Sequence, residues 1–292
     1  MDHEWYDYSP IAARTPLAWP EGAAVAFWLV LYLEQWELEP PPGAVRAPGV
    51  HGPWVDVAPD VRTFTHREYG NRVGIFRILD ALDRFAVPAT VAVNSAAAQR
   101  LPQLVTACAD RGHEIAAHGT HATRMISSRL TEAEERDMIE TSLRTVAAVT
   151  GIRPAGWVGQ DQGESSRTPR LLEEAGVSWL ADWSNDDQPF PFGPTRRLVS
   201  LPRQTQWDDV HQLWLRHLTM PRYLDVVLEA FRRLARDGEE GGRVFGLGVH
   251  PWLLGQPHRF AYLERALAAI TGATRVWMAT GSQIAAASRG DG

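Results

Sequence analysis

The 292-residue chain has a single cysteine, Cys108, so no disulfide can close within it and no multi-cysteine metal site can be built. Its longest apolar run, Ala23 to Leu33, falls well short of the ~20 residues that span a bilayer. The opening "MDHEWYDYSP" is acidic where a secretory signal is basic. There is no basic tract, and Lys plus Arg number 29 against 35 Asp plus Glu, a net charge of −6 that disfavours a phosphate backbone as partner. No internal repeat and no low-complexity linker interrupts the sequence. These absences predict a soluble, cytoplasmic protein that meets small molecules, with no nucleic acid and no membrane as partner. What is present is core material: 45% of residues are hydrophobic and 12 are Trp, too many for a disordered chain.

Short β-rich runs alternate with amphipathic stretches, the order of an α/β domain with a parallel sheet. The first expected strand is Val25 to Leu33, followed by a Pro- and Gly-rich loop, Pro40 to Pro59, long enough to be functional or covering. Asn71 is expected to cap a helix through Phe85, with Pro88 to Ala96 the next strand. A helix at Pro102 to Arg111 leads to a strand at His113 to Gly119. Thr131 and Glu134 form a capping box for a helix ending at Gly151. Further strands are expected at Gly156–Gln160, Ser178–Asp182, Leu198–Pro202, Arg243–His250 and around Val276, with helices at Thr168–Ala175, after Pro221 and at Phe260–Ile270. Seven or eight such units in 292 residues point to a single barrel domain, with residues 1–22 as an N-terminal extension.

In a barrel, polar residues just after the apolar runs gather at one mouth. Those residues are Glu34-Gln35, His118 and His121, Gln160-Asp161, Asp182 and His250. Glu34 follows eleven apolar residues, where burial would raise its pKa toward neutrality and suit a general base; the alternative is a carboxylate that caps a neighbouring loop. His118 and His121 are close enough in sequence to face one ion, although such spacing is common by chance. His250, after a buried run and before Pro and Trp, reads as functional rather than as a core histidine. Trp157, Trp183, Phe190, Phe192 and Trp252 either line a pocket or belong to the core. Asp182, Asp186 and Asp187 either orient a substrate or occupy a plain turn.

"GHEIAAHGTH", "RPAGWVG" and "LGVHPW" resemble, in that order, the third-strand histidine motif, the Arg-Pro segment and the late-strand histidine motif of the polysaccharide deacetylase superfamily. The match runs from about Val25 to Ile284. Through "YGNRVGIFRILDAL", "GWVGQDQGESSRTPRLLEEAG", "DWSNDDQPF" and "HPWLLGQPHRF" it is most similar to the branch that holds cofactor-independent allantoinases, cyclic imide hydrolases and related peptidoglycan-type deacetylases. That resemblance implies a deformed (β/α) barrel, an amidohydrolase acting on non-peptide carbon–nitrogen bonds, catalytic roles for Glu34, His118 and His250, and a homo-oligomer such as a tetramer. Gln35, Trp157, Gln160, Asp182, Trp183 and Trp252 are the expected substrate contacts.

Two departures bear on the cofactor. Glu34-Gln35 stands where metal-dependent deacetylases have paired aspartates, and Ala122 stands where a second histidine is expected, with His121 one residue early. Either one divalent ion, zinc first, is held by Glu34, His118 and His121, or no metal is used. The leading expectation is ring opening of a small cyclic amide, ureide or imide. The others are a metal-dependent N-deacetylase of an acetylated sugar or related molecule, and a non-catalytic binding protein on the same fold.

Overall fold

The computed structural model describes residues 3–44 and 59–290. In chain order the elements are β1 (Val25–Leu33), α1 (Val61–Tyr69), α2 (Ile75–Phe85), β2 (Ala89–Val93), α3 (Ser95–Arg100), α4 (Pro102–Asp110), β3 (Glu114–Ala117) and α5 (Glu132–Thr150). Then come β4 (Gly156–Trp157), α6 (Thr168–Glu174), β5 (Trp179–Leu180), β6 (Phe190–Phe192), β7 (Leu198–Ser200), α7 (Met220–Asp237), β8 (Arg243–Val249), α8 (Pro251–Leu254), α9 (Pro257–Thr271), β9 (Val276–Met278) and α10 (Gly281–Arg289).

One sheet runs β6-β7-β5-β4-β3-β2-β1-β8, with β9 also on β1, and every ladder is parallel except β6 against β7. β1 is its hub, paired with β8 over Val25–Leu31, with β9 over Val25–Phe27 and with β2 over Leu29–Leu33. All nine of its residues are buried. Because successive strand residues point to opposite faces, Val25, Phe27, Leu29, Leu31 and Leu33 pack outward with residues of α2, α4, α7 and α9. Ala26, Trp28, Val30 and Tyr32 point inward, onto Trp179 and its neighbours. A strand buried on both faces reads as a continuous apolar run, which is why this one was plain in the sequence.

The two ends of the path, β6 and β8, form no ladder with each other among the described residues. Single bonds span the seam: Val244 N–H to Asp187 O at 2.9 Å, and Gln188 Nε2 to Gly242 O at 2.9 Å. The result is a half-barrel with surrounding helices, the deformed (β/α) barrel expected. The N-terminal segment packs beside the open side, where Arg14 bonds Asp186 and Gly193 N–H bonds Trp5 O at 3.0 Å. Among the described residues no helix is long and apolar enough to cross a membrane.

Local capping follows the sequence at α5, where Thr131 and Glu134 bond reciprocally and Gly151 ends the helix in a left-handed conformation. Pro221 likewise stands in the first turn of α7, but at two other places the outcome differs. The helix expected to start at Asn71 starts ten residues earlier, at Val61, because Asp60 caps it by accepting Thr63 N–H at 3.0 Å. Asn71 lies instead inside a π-helical turn, Gly70–Gly74, that joins α1 to α2. The strand expected to reach Ala96 ends at Val93, since Asn94 caps α3 through Ala97 N–H. Neither β6 nor α10 was anticipated. Most of the Pro40–Pro59 loop falls outside the described residues.

The π-turn permits a close approach to α8. A Cβ on Gly74 would stand 2.2 Å from Pro251 O, and one on Gly255 would stand 2.4 Å from Gly74 Cα. Neither backbone can yield without moving the other, so Gly74→Ala is expected to lower unfolding free energy in urea by about 1–3 kcal/mol, the usual cost of overpacking. A loss within about 0.5 kcal/mol, the range of an ordinary surface substitution, would mean that the junction relaxes freely.

Candidate active site

The pleat that fills the half-barrel also aims its polar residues. Glu34 continues the inward face of Trp28, Val30 and Tyr32, and His250 continues that of Val244, Gly246 and Gly248 on β8, whereas Phe245, Leu247 and Val249 face the outer helices. His118 follows inward Ala116 on β3. All three line one cleft of about 190 Å³ with Tyr32, Gln160 and Trp252. Glu34 and His118 are buried to 7% and 1% exposure, so charge between them is poorly screened.

Glu34 Oε1 meets His118 Nε2 at 3.2 Å and accepts Gln160 Nε2–H at 3.2 Å. His118 Nδ1 lies 2.5 Å from Val158 O. A carbonyl oxygen only accepts, so Nδ1 carries a proton; the contact with Glu34 then needs a second proton on Nε2 or on the carboxyl. Burial alone would raise the Glu34 pKa, as the sequence suggested. The His118 hydrogen bond and charge, with His250 and Arg67 behind them, outweigh it and bring the group down to about 2. The expectation of a pKa near neutrality is therefore corrected: the carboxylate is buried among cations, not alone.

Main-chain bonds fix the turn that presents Glu34. Asn71 Nδ2 donates to Glu34 O at 2.7 Å, while Asn94 Oδ1 accepts Gln35 N–H at 3.1 Å and its amide returns a bond to Gln35 O at 3.2 Å. The His250 ring lies flat on Tyr32, centroids 4.0 Å apart and 5° between planes. Its Nδ1 and its own N–H both bond Asp209, at 2.7 and 2.6 Å, and among the described residues no hydrogen bond engages Nε2. Burial depresses the His250 pKa, but the fully buried Asp209 carboxylate more than offsets this and the net shift is upward.

Asp209 was not among the residues singled out from sequence, and neither were Tyr32, Arg67 or Arg203. A buried histidine needs an acceptor, and "WDDVH" offered one, but nothing local says that it crosses to β8. Arg67 lies over Trp252 at 3.2 Å and near Trp36 at 4.5 Å, and burial lowers its pKa to about 9. Asp161 is held at φ 51°, a conformation costly for a residue with a side chain, and burial followed by the nearby Glu34 charge raises its pKa.

Of the expected substrate contacts, Gln160 and Trp252 line the cleft. Trp157 does not: it is fully buried on the outward side of its strand, among Leu143, Leu171 and Leu180, with Val158 taking the inward position. Trp183 packs edge-on to Trp5 at 5.2 Å, under the N-terminal segment. Gln35 turns back to Trp36 O. Asp182 sits behind the wall, accepting Gly159 N–H at 2.7 Å, and burial raises it to about 6. Asp186 is taken by Arg14.

The expected metal ligands do not assemble. His118 is committed at both nitrogens, and His121 Nε2 faces Glu37 Oε1 at 3.9 Å rather than Glu34. Among the described residues no group of three or more His, Cys, Asp or Glu side chains is placed to hold an ion.

An inward carboxylate–imidazole pair at the ends of β1 and β3 faces a carboxylate-backed histidine after β8, an arrangement able to move protons in a hydrolysis. Residues 68–178 match the polysaccharide deacetylase family. The chain is similar to a Schizosaccharomyces pombe protein provisionally named polysaccharide deacetylase, 27% identical over 247 residues, covering 75% of this chain and 74% of that one. It resembles, more particularly, the branch of the superfamily that includes an allantoinase. The Puue allantoinase structure superposes with a TM-score of 0.83 at 26% identity over 97% of both chains. A probable polysaccharide deacetylase from Pseudomonas aeruginosa PAO1 follows at 0.82 and 27%, also over 97% of both.

Because the folded His250 pKa lies above its unfolded value, its pairing with Asp209 stabilises the fold fully below the ordinary histidine pKa of about 6.5 and fades as pH rises through the folded value. Asp209→Asn should lower the His250 pKa, read from its ring protons by NMR, and remove that extra stability at acid pH. An unchanged titration would show that the carboxylate does not hold the proton there.

Proposed function

We propose that this protein hydrolyses a non-peptide carbon–nitrogen bond in a small molecule, opening the ring of a cyclic amide, ureide or imide. The observation that carries the reading is the pairing of Glu34 and His250 in one small cleft, each already oriented by a partner, His118 and Asp209. Among the described residues no hydrogen bond engages Glu34 Oε2, so this oxygen is the proton acceptor for the attacking water. A carboxylate of pKa about 2 is a weak base toward water at rest. Water becomes strongly acidic as its oxygen bonds to carbon, and at that point even this carboxylate accepts its proton.

The charge shared by His118 offsets the developing oxyanion, and His250 Nε2–H protonates the departing nitrogen, its Nδ1–H held by Asp209. Tyr32, whose hydroxyl burial keeps protonated, serves as the flat platform for that ring. No step is routed through a metal, because the donor set does not fit one. The cavity of about 190 Å³ suits a small ring better than a polymer chain. The second reading, an N-deacetylase, is favoured by the family match over residues 68–178 and predicts acetate release from an N-acetyl sugar.

Chelator-treated protein offered a panel of cyclic imides, ureides and hydantoins is expected to open at least one, and Glu34→Gln to cut that rate by at least about a hundredfold while leaving the circular dichroism unchanged. A fully active Gln variant overturns the assignment of Glu34. Since His250 acts protonated, the alkaline limb of kcat/KM should follow its raised pKa and move to lower pH in Asp209→Asn. Acetate release only after zinc addition would favour the second reading.

A further inference from the structure

Arg203 has no part in the chemistry above, yet it lines the same cleft with only 4% of its surface exposed. Its depth follows from β8, whose two inward positions nearest His250 are glycines, Gly246 and Gly248. A Cβ on Gly246 would stand 3.5 Å from Arg203 Cα, and one on Gly248 would stand 3.3 Å from Asp208 Cβ. The segment after β7 therefore crosses beneath the histidine, with the guanidinium 5.8 Å from the Tyr32 ring centre.

A guanidinium has five N–H donors, and burying them without acceptors is costly. Among the described residues the Arg203 guanidinium donates no hydrogen bond; only its main-chain carbonyl takes part in one, accepting from Ser184 Oγ at 2.8 Å. Its nearest carboxylate oxygen, Asp208 Oδ2, is 3.9 Å from Nη1, an ion pair beyond hydrogen-bond reach. The other oxygen of that carboxylate is already taken by His211, at 2.7 Å through its N–H and 3.2 Å through Nδ1. Nε is buried without a partner. A charged fork placed this deep and left without acceptors is built to receive two coplanar oxygens from a ligand.

We propose that Arg203 anchors a carboxylate carried by the substrate away from the bond that is cut, so that the preferred substrates are acids, a cyclic amide or ureide with a short carboxylate arm. The anchor deepens the hydrolytic reading and rests on it only for the identity of the ring. The probes are hydantoin-5-acetic acid and its neutral side-chain amide, with binding measured by calorimetry on the Glu34→Gln protein so that turnover plays no part.

The acid should bind about tenfold tighter than the amide, the order expected of a charge-assisted hydrogen-bonded pair. Adding Arg203→Met should abolish that preference, and Arg203→Lys should keep part of it. Equal binding of acid and amide, binding of neither, or a preference that survives Arg203→Met would overturn the anchor. The first comparison leaves Arg203 intact and needs no variant at that position to fold. Acid preference in the Gln variant, without ring opening by the unaltered protein, would support the anchor and overturn the ring-opening reading.

Discussion

The alternation of side chains along β1 and β8 is the constraint on which the rest depends. Each strand is buried on both faces, so each must send one set of residues to the helices and the other into the half-barrel. A slip of one residue in either ladder would exchange the two sets. Tyr32 and Glu34 would then face the helices, and Leu31 and Leu33 would fill the cleft. Packing of more than a dozen apolar side chains thus fixes the direction of two polar ones. The same parity turns Trp157 away from the cleft and Val158 toward it.

With direction settled by packing, charge is settled by neighbours. The cleft and its walls hold Glu34, Asp161, Asp208 and Asp209 against His118, His250, Arg67 and Arg203, nearly all of them buried. Such clusters gain little net stability over an apolar core, but losing one member leaves its partner charged and desolvated, at a cost of about 3–5 kcal/mol. The site is therefore held together as a set. Glu34 is ionised because three cations surround it, and His250 keeps its proton because Asp209 faces it. The aromatic planes of Tyr32 and Trp252 separate the cationic groups without neutralising them.

The architecture was legible from apolar periodicity, because β1, α5 and β8 are long and each has strong local signals. The short strands were placed only approximately, and β6, three residues containing a proline, carries no period to detect. The site was legible where chemistry stands at a strand end: Glu34, His118, Gln160 and His250 share one cleft. It was illegible where the partner comes from a distant segment. Asp209 lies 41 residues before His250, and Arg67 and Arg203 look like ordinary surface cations until the fold buries them. Trp157 and Trp183 misled because a tryptophan beside a strand end is equally at home in the core. The ligand reading of His121 depended on spacing and on a motif position that it misses by one residue, and Glu37 and Arg124 claim that loop.

The position of β1 in the chain has a consequence for how the molecule is made. This nine-residue apolar strand leaves the ribosome well before two of its partners, which begin at Arg243 and Val276, more than two hundred residues later. Until those segments exist, β2 is its one partner among the described residues. Contacts this distant in sequence slow folding, and an unpaired apolar strand is open to association with other chains meanwhile. Expression at low temperature or with chaperones in excess should therefore raise the yield of folded protein more than substitutions in the cleft would.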